Sequence, residues 1–386
     1  MKILLTSDWH LGKFLYKEKL LNKQMEFFYE KFFPLLKELK PDLIIVAGDI
    51  LDKPVPDQET LYAFADLLKE LSTFNIPSFL ILGNHDSKRT SLHSYFLEKA
   101  KIYLIDHINY FPFTFEDDKG DRVYLYFLPH LPIYEFLEKV KEVFSFELPE
   151  KITYASLLKI WFEKINFKLP AFFVSHFTLE KFHPSGEEVM IKGFSEEYVM
   201  PEELLAPFDS VFLGHLHRPQ ERGKIYYPGA PLPYSFEVSK EERGTYFFEW
   251  KKGVFLLKEF IPLSPNYELH YLRGKLDEIL RTESTSAYTK VVLIEERPII
   301  DAYERLKNHF PNLLALEYES SQPNLESSFE SLYINTEDIK IDEKELFKEF
   351  YKLVKGKEID TKLWDIFLKG LDEFYNLQKK EGRLWQ

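Results

Sequence analysis

Residues 79–86 read FLILGNHD, and this stretch contains the pattern that decides the fold. A short apolar run, Phe79–Leu82, ends abruptly at Gly83 and is followed by polar residues. Apolar runs of this length predict a strand that is covered on both faces. In sheets of that kind, ligands are held just beyond the carboxyl ends of the strands. Asn84 and His85 therefore occupy a position typical of a functional site.

The same pattern occurs at other places in the first part of the chain. Each time, a short apolar run stops at a cluster of polar residues. These places are Ile3–Leu5 before Ser7-Asp8-Trp9-His10, Leu43–Val46 before Gly48-Asp49, Phe172–Val174 before Ser175-His176, and Val211–Leu213 before Gly214-His215-Leu216-His217. We therefore expect buried strands whose carboxyl ends bring these polar clusters to one region of the fold.

Segments between these strands carry apolar residues at helical spacing. One runs from Met25 to Leu39 and stops at Pro41. Another runs from Leu61 to Leu71, after Pro56 and a candidate N-cap at Asp57. Strands that alternate with helices predict a layered α/β fold.

Composition narrows the classes of function. The chain has 386 residues, 45% of them hydrophobic, which is enough to build a sizeable core. It contains no cysteine, so any metal must be bound by His, Asp, Glu or Asn. Its net charge of −13 argues against simple electrostatic binding of a polyanion, although bound divalent cations would change the local field. No apolar run is long enough for a signal peptide or a membrane span, and we expect a cytoplasmic protein.

The later part of the chain has a different organisation. Residues 1–263 form the predicted catalytic domain. Residues 264–319 predict a small α/β domain, with strands near 267–272, 290–295 and 313–318 and a helix near 300–310. Residues 320–340 are polar and aperiodic, which indicates a linker. Residues 341–386 contain two apolar stripes at helical spacing, which predict a pair of helices.

The strand ends carry seven candidate metal ligands: Asp8, His10, Asp49, Asn84, His176, His215 and His217. Carboxylate and amide oxygens combined with imidazole nitrogens suit Mn, Fe or Zn better than Mg alone. Two neighbouring ions need a bridging group, and Asp49 is the best candidate because it lies between the other clusters in chain order. For any one of these residues, a role in a turn or a helix cap remains the alternative.

Together, these motifs resemble the calcineurin-like metallophosphoesterase superfamily and, within it, the SbcD family of double-strand-break repair nucleases. The resemblance is carried by DxH at 8–10, GDxxD at 49–52, GNHD at 83–86, His176 and GHLH at 214–217. It implies a β-sandwich flanked by helices, with a small α/β capping domain that binds DNA and a C-terminal helical hairpin. The implied activity is Mn-dependent endo- and exonuclease cleavage of DNA.

The resemblance also implies roles for individual residues. One metal ion would be held by Asp8, His10, Asp49 and His217, and the second by Asp49, Asn84, His176 and His215. His85 would assist the leaving oxygen as the catalytic residue without being a ligand. Asp52 departs from archaeal relatives, which have His at this position, so a DNA contact assigned to that His does not transfer.

Basic residues follow several of the motifs and predict a positive rim that binds DNA: Lys53, Lys88, Arg89 and Arg218 are the main candidates, with Lys13, Lys17, Arg222 and Lys224 nearby. Because the chain has 50 Lys and Arg residues, some of them would fall in these loops by chance.

The resemblance further implies two partners. The C-terminal helices would bind an SbcC-type SMC-like ATPase, although they could instead fold back on their own domain. A homodimer would form through the apolar faces of residues 57–72 and 91–99, for which Leu61, Phe64, Leu68, Leu92 and Phe96 are candidates. Packing of those faces on the sheet is the alternative.

Two other functions remain open at this stage. A stand-alone metallophosphatase or cyclic-nucleotide phosphodiesterase would have the same metal core. Protein phosphatases of this superfamily, however, usually have GNHE and an Arg after GDxxD, whereas Asp52 is followed here by Lys53. A scaffold with an inactive core is the other alternative, and the full ligand set argues against it.

Overall fold

The computed structural model describes residues 1–88, 97–108, 110–145, 152–185, 199–236, 241–295, 297–319, 347–348, 359–361, 363–364 and 366–369. The chain divides into two compact units, of which the first contains Met1–Leu293 and Ile299–Glu317, and the second Ile294–Pro298 and Tyr318–Gln386. The predicted domain boundaries at 263/264, 319/320 and 340/341 stay predictions. Among the described residues, no helix is long and apolar enough to cross a membrane.

The strands, numbered in chain order, are short and mostly buried. They are β1 Lys2–Thr6, β2 Phe14–Leu15, β3 Glu18–Lys19, β4 Leu43–Ala47, β5 Ser78–Ile81, β6 Ile102–Ile105, β7 Phe113–Glu116, β8 Arg122–Leu128, β9 Ala171–His176, β10 Thr178–Leu179, β11 Val199–Met200, β12 Ser210–Gly214, β13 Gln220–Arg222, β14 Ile225–Tyr227, β15 Gly244–Lys251, β16 Val254–Pro262, β17 Leu269–Gly274, β18 Tyr288–Leu293 and β19 Leu313–Tyr318.

Between these strands, the described residues form α-helices. They are α1 Leu21–Phe27, α2 Phe33–Leu39, α3 Gln58–Thr73, α4 Ile133–Val143, α5 Tyr154–Lys164, α6 Leu276–Ile279 and α7 Ala302–His309. Asp57 caps α3 as expected, because its side chain accepts a hydrogen bond from the Thr60 amide at 2.9 Å.

The predicted helix over residues 25–39 differs from the observed one in its middle. A π-helical turn, Phe28–Phe32, separates α1 from α2. Pro34 lies in the first turn of α2 and has no amide hydrogen to donate, so the regular ladder cannot run through this point. The rings of Phe28 and Phe32 contact Trp9, at centroid distances of 4.8 and 5.9 Å.

Two large sheets form the centre of the first unit. The first has the order β16-β15-β1-β4-β5-β6, and the second has the order β13-β14-β12-β9-β8-β7. The strands β1, β4, β5 and β6 are parallel, and so are β14, β12, β9 and β8. Parallel strands point their carboxyl ends the same way, so each sheet presents its polar clusters along one edge.

The two sheets pack face to face and are covered by helices on their outer faces. Ile3, Ile45 and Phe79 of the first sheet share one apolar cluster with Phe172 and Phe212 of the second. Alternate residues of the first sheet pack against α1–α3, and those of the second sheet pack against α4 and α5. This confirms the predicted β-sandwich flanked by helices.

A small sheet follows in the order β17-β18-β19. Its strands lie within a few residues of the predicted ones, and α7 lies within the helix predicted over 300–310. Residues of this region contact the first part of the chain: the Asn266 side chain donates to the Lys23 carbonyl at 2.9 Å, and the Tyr267 hydroxyl donates to the Pro233 carbonyl at 2.6 Å.

The predicted dimer surface requires a correction. Phe64 and Leu68 are buried in the core against the first sheet, because the apolar stripe of α3 faces that sheet. Leu61 is 47% exposed and stays available. Leu92 and Phe96 lie outside the described residues.

Only a few residues of the predicted tail are described, and the linker predicted over 320–340 lies outside them. In the second unit, the ring of Phe347 stacks on that of Phe367 with centroids 3.8 Å apart. Trp364 lies beside Phe367 at 5.5 Å. Among the described residues, the two apolar stripes predicted for residues 341–386 therefore meet at Phe347 and Phe367.

Candidate metal centre

The loops that follow β1 and β4 are bonded to each other through their backbones. The Asp8 amide donates to the Gly48 carbonyl and the His10 amide to the Asp49 carbonyl, both at 2.9 Å. Asp8, His10 and Asp49 all adopt positive φ angles, of 53°, 45° and 51°. Non-glycine residues rarely adopt this conformation, and it is concentrated at functional sites, where surrounding contacts hold it in place.

Glycines allow the loops to approach the polar side chains closely. A Cβ atom at Gly83 would overlap the carboxylate and amide of Asp49. At Gly48, whose φ is +92°, a Cβ would overlap the His176 ring. Gly83 is therefore required by close packing against the neighbouring loop of the same sheet, and Gly48 by close packing against His176 of the second sheet.

Asp8, His10 and His217 form the first group of donors. One nitrogen or oxygen atom from each lies within 4.8 Å of the others, and all three side chains are buried. The His10 and His217 Nε2 atoms are 3.0 Å apart. Asp8 is held in place because its Oδ1 accepts a hydrogen bond from the His215 amide at 3.0 Å.

Asn84, His176 and His215 form the second group. The Asn84 Oδ1 atom lies 2.9 Å from His176 Nε2 and 2.9 Å from His215 Nδ1. On its other side, the His176 Nδ1–H donates to the Ala47 carbonyl at 2.8 Å, which fixes the tautomer and directs Nε2 into the site.

Asp49 lies between the two groups. Its Oδ2 atom is 3.5 Å from His10 Nε2 and 3.3 Å from His176 Nε2. Its Oδ1 atom accepts a hydrogen bond from the His85 amide at 2.9 Å. One oxygen of this carboxylate thus faces donors of both groups, which is the arrangement that a bridging ligand needs.

Burial and close packing alter the proton affinities of these groups. Burial raises the pKa of Asp8 to about 6 and lowers that of His10 to about 4. Burial alone would raise the pKa of Asp49, but the nearby His176 and His10 hold it well below its usual value. Burial would lower the pKa of His176, but Asp49 raises it to about 9. Without a metal, the proton on His176 therefore balances the Asp49 carboxylate.

The donor set fits a divalent cation. Buried carboxylates, an amide oxygen and imidazole nitrogens converge on one region, and the His10 Nδ1 atom is buried without a hydrogen-bond partner. Buried charges of this kind are normally paired or bound to metals. Mixed oxygen and nitrogen donors without thiolates suit Mn, Fe or Zn.

His85 lies beside this centre. Its Nδ1–H donates to the Asp52 carbonyl at 2.9 Å, and its ring meets that of His10 edge to face at 4.7 Å. The side chain is partly exposed. His10, Asp52 and His85 also bring one donor atom each within 4.8 Å, so proximity alone does not exclude His85 as a ligand.

Several residues that support the centre do not follow from the strand-end pattern. Asp86 accepts hydrogen bonds from the amides of Gly83, Ile50 and Leu51 at 2.9–3.1 Å, and so ties two of the loops together. The buried Gln24 side chain donates to the His10 carbonyl at 2.8 Å. Both roles depend on contacts between distant segments of the chain.

His130, which the sequence prediction omitted, lies beside the loop that carries Asn84, because its amide donates to the Leu82 carbonyl at 2.9 Å. It follows β8, whose apolar run also ends in a polar residue, so the same pattern could have found it. The pKa of His130 is lowered to about 4, mainly by burial and also by His176.

The predicted positive rim is partly occupied by acidic partners. Lys88 pairs with Glu135 and Arg218 with Glu241, and Lys53 lies over the Phe14 ring at 5.0 Å. Arg89 lies outside the described residues. The role of these side chains in DNA binding stays a prediction.

Known proteins resemble this chain along most of its length. Residues 1–219 match the family model described as calcineurin-like phosphoesterase, and residues 266–355 match one described as type 5 capsule protein repressor C-terminal domain. The SbcD component of the nuclease SbcCD from Staphylococcus saprophyticus is 30% identical over 376 residues, which cover 94% of this chain and 95% of the relative.

The protein of the same name from Staphylococcus epidermidis is 28% identical over 365 residues, which cover 91% of this chain and 93% of the relative. Both matches cover more than nine-tenths of this chain. The chain therefore belongs to the calcineurin-like phosphoesterase family of metal-dependent hydrolases and, within it, to the SbcD nucleases.

Proposed function

We propose that this chain is a DNA endo- and exonuclease that hydrolyses phosphodiesters with two divalent ions, of which Mn²⁺ is the working metal. The position of Asp49 carries the proposal, because one carboxylate oxygen lies 3.5 Å from a nitrogen of the first donor group and 3.3 Å from a nitrogen of the second. Two donor groups that share a carboxylate are typical of two-metal phosphoesterases.

The two donor groups define the proposed ligands. Asp8, His10 and His217 would hold one ion and Asn84, His176 and His215 the other, with Asp49 common to both. Bound there, the ions would attract the phosphodiester oxygens and offset the negative charge that builds up during displacement.

The chain's own residues would orient the substrate and move protons. The hydrogen bond from His85 Nδ1 to the Asp52 carbonyl leaves Nε2 as the nitrogen that can face a phosphodiester. When protonated, this imidazole can donate to the leaving oxygen, a contribution of about 10²–10⁴-fold. The His85 amide donates to Asp49 Oδ1 at 2.9 Å, so the position of the His85 ring depends on that of the proposed bridging carboxylate.

The names of the relatives support DNA as the substrate and an assembly with a second protein. Both relatives are named as a component of the nuclease SbcCD, and both match more than nine-tenths of this chain. The partner would be an SbcC-type SMC-like ATPase, bound through residues 341–386, where Phe347 and Phe367 stack. Copurification of the ATPase with a chain that ends at residue 340 would contradict that assignment.

A homodimer is proposed as well. The exposed Leu61 and Tyr62 on α3 would contribute to it, since they are 47% and 64% exposed while the rest of the apolar stripe faces the core.

The function is tested by incubating the purified chain with Mn²⁺ and three substrates in parallel: linear duplex DNA, a phosphoprotein and a cyclic nucleotide. We expect cleavage of DNA that EDTA abolishes and Mn²⁺ restores. An Asp49→Ala variant, purified in the same way, controls for contaminating nucleases. Turnover of the phosphoprotein or the cyclic nucleotide without cleavage of DNA would contradict the nuclease and favour the metallophosphatase or phosphodiesterase alternative.

A further inference from the structure

The loop after β1 carries two proposed ligands of the first donor group on an unusual backbone. Asp8 and His10 have φ angles of 53° and 45°, and Gly12 follows at 85°. A non-glycine residue stays in this left-handed region only where surrounding contacts hold it. The amides of Asp8 and His10 are bonded to the loop after β4. The carbonyl groups of the same loop are bonded by a different part of the chain.

Gln24 of α1 supplies those bonds. Its side chain is fully buried, at 0% exposure. The Gln24 Nε2 atom donates to the His10 carbonyl at 2.8 Å and to the Trp9 carbonyl at 3.1 Å. Its Oε1 atom accepts from the Gly12 amide at 2.9 Å. An amide side chain offers both donors and an acceptor, so one residue fixes the backbone from Trp9 to Gly12.

Tyr234 completes this buried network. Its hydroxyl accepts a hydrogen bond from Gln24 Nε2 at 3.0 Å and donates one to the Trp9 carbonyl at 2.5 Å. Its ring lies beside the imidazoles of His10 and His217, with centroid distances of 5.7 and 6.1 Å. Tyr234 therefore supports the loop through its hydroxyl and both histidines of the first donor group through its ring.

The second donor group is held by other contacts. The His176 Nδ1–H donates to the Ala47 carbonyl at 2.8 Å, and Asn84 Oδ1 lies 2.9 Å from His176 Nε2. Residues that orient metal ligands without binding the metal commonly contribute about 10- to 100-fold to metal affinity. The contacts of Gln24 and Tyr234 should therefore act on the ion of the first donor group.

We propose that Gln24 and Tyr234 are positioning residues that hold His10 and His217 in the geometry needed to bind the ion of the first donor group. Neither side chain would be a ligand, because their polar atoms bond the loop and each other. The inference rests on the proposed function for the ligands of that ion. It adds that one of the two ions depends on a hydrogen-bond network anchored in α1.

The experiment compares the wild-type chain with Tyr234→Phe, Gln24→Leu and a matched control, Tyr126→Phe. Tyr126 is also fully buried, and its hydroxyl accepts a hydrogen bond from the Lys168 amide at 2.8 Å. It belongs to the apolar cluster between the second sheet and helices α4 and α5. Tyr126→Phe thus removes one buried tyrosine hydroxyl, as Tyr234→Phe does, away from the donor groups.

Three quantities are measured: the melting temperature without metal, Mn²⁺ binding by calorimetry, and kcat/KM for DNA at limiting and saturating Mn²⁺. We expect both Tyr→Phe variants to lower the melting temperature by similar amounts. Only Tyr234→Phe should weaken one of the two Mn²⁺ binding steps, by about tenfold, and leave the other within about twofold of wild type. Its kcat/KM should fall by about tenfold at limiting Mn²⁺ and recover at saturation, because the residue acts through metal binding.

Gln24→Leu should weaken the same binding step by more than Tyr234→Phe does, because it removes the contacts to Trp9, His10 and Gly12 together. If Gln24→Leu does not fold, Tyr234→Phe still decides. Anomalous diffraction at limiting Mn²⁺ identifies the weakened site, and the peak beside His10 and His217 is the one expected to be lost.

Three results would overturn the inference: unchanged Mn²⁺ binding in Tyr234→Phe, equal weakening of both binding steps, or the same weakening in Tyr126→Phe. The last two would show that the network contributes only to general stability. If the wild type bound two ions but did not cut DNA, the nuclease proposal would fail, while the Mn²⁺ titrations would still decide the role of Gln24 and Tyr234.

Discussion

The two sheets of the sandwich contribute to the metal centre in different ways. The first sheet provides every oxygen donor of the candidate set, together with His10, from loops that are bonded to each other. The second sheet provides imidazoles only, from β9 and from the segment after β12. The first sheet therefore supplies the negatively charged carboxylates. The second sheet supplies imidazole rings, neutral or protonated, that face these carboxylates.

The local structures of the two contributions differ as well. Asp8, His10 and Asp49 have left-handed backbones, and Asp86 ties their region to the Asn84 loop. In the second sheet, His215 also has a positive φ, of 89°, whereas His176 is the last residue of a regular strand and donates across the gap between the sheets to the Ala47 carbonyl. The donor groups are thus complete only when both sheets are packed, and metal binding should stabilise that packing.

The largest effect is expected at Asp49, which lies between the two donor groups. Asp49→Ala should lose both metal ions and reduce DNA cleavage by at least about 10³-fold, because the shared carboxylate contributes to both groups. Metal analysis and a cleavage assay measure the two effects. Retention of two ions per chain would remove Asp49 from its bridging role.

A smaller and more selective effect is expected at the outer ligands. Asn84→Ala and His217→Ala should each lose one ion and nearly all activity while keeping the fold, because each residue belongs to one donor group. Metal content with circular dichroism tests this. If either variant lost both ions, the two donor groups would act as one site, and the assignment of one ion to each group would be wrong.

His85 should show an effect on rate alone. His85→Gln is expected to keep both ions and to cut DNA at least about tenfold more slowly, since the amide cannot act as a general acid. Single-turnover cleavage with parallel metal analysis measures this. Loss of metal in the variant would instead identify His85 as a ligand, consistent with its proximity to His10 and Asp52.

The smallest effect concerns pH. Asp49 raises the pKa of His176 to about 9 against the opposing effect of burial, so the folded protein without metal binds this proton more tightly than the unfolded chain does. The stability from this proton is fully present below about pH 6.5 and is lost as pH rises through 9. A bound ion would take the place of the proton on His176, so the metal-bound protein would not lose this stability as pH rises.

We therefore expect the melting temperature in EDTA to fall by a few degrees between pH 7 and pH 9, and the gain on adding Mn²⁺ to grow over the same range. Thermal melts at matched pH values measure both trends. A gain that shrinks as pH rises would contradict the Asp49–His176 pairing.

The sequence predicted those parts of the site that depend on local pattern. Apolar runs that end in Gly or Ser and a polar cluster identified the ends of β1, β4, β5, β9 and β12. The N-cap at Asp57 is equally local and was also confirmed. In each case the signal lies within a few consecutive residues.

What the sequence did not predict depends on contacts between distant segments. No local pattern indicates that Asp86 bonds Ile50 and Leu51, or that Glu241 pairs with Arg218. The burial of Phe64 and Leu68 also required knowledge of which face of α3 meets the sheet. An amphipathic helix has one apolar stripe, and its periodicity does not reveal whether that stripe meets the core or a partner.

The central claim is that two ions bind on either side of Asp49, with ligands from both sheets. Anomalous diffraction at the manganese edge, from crystals grown with Mn²⁺, tests it most directly. We expect two peaks about 3.5–4 Å apart, one beside His10 and His217 and the other beside His176 and His215. A single peak, or two peaks that do not share Asp49, would contradict the claim.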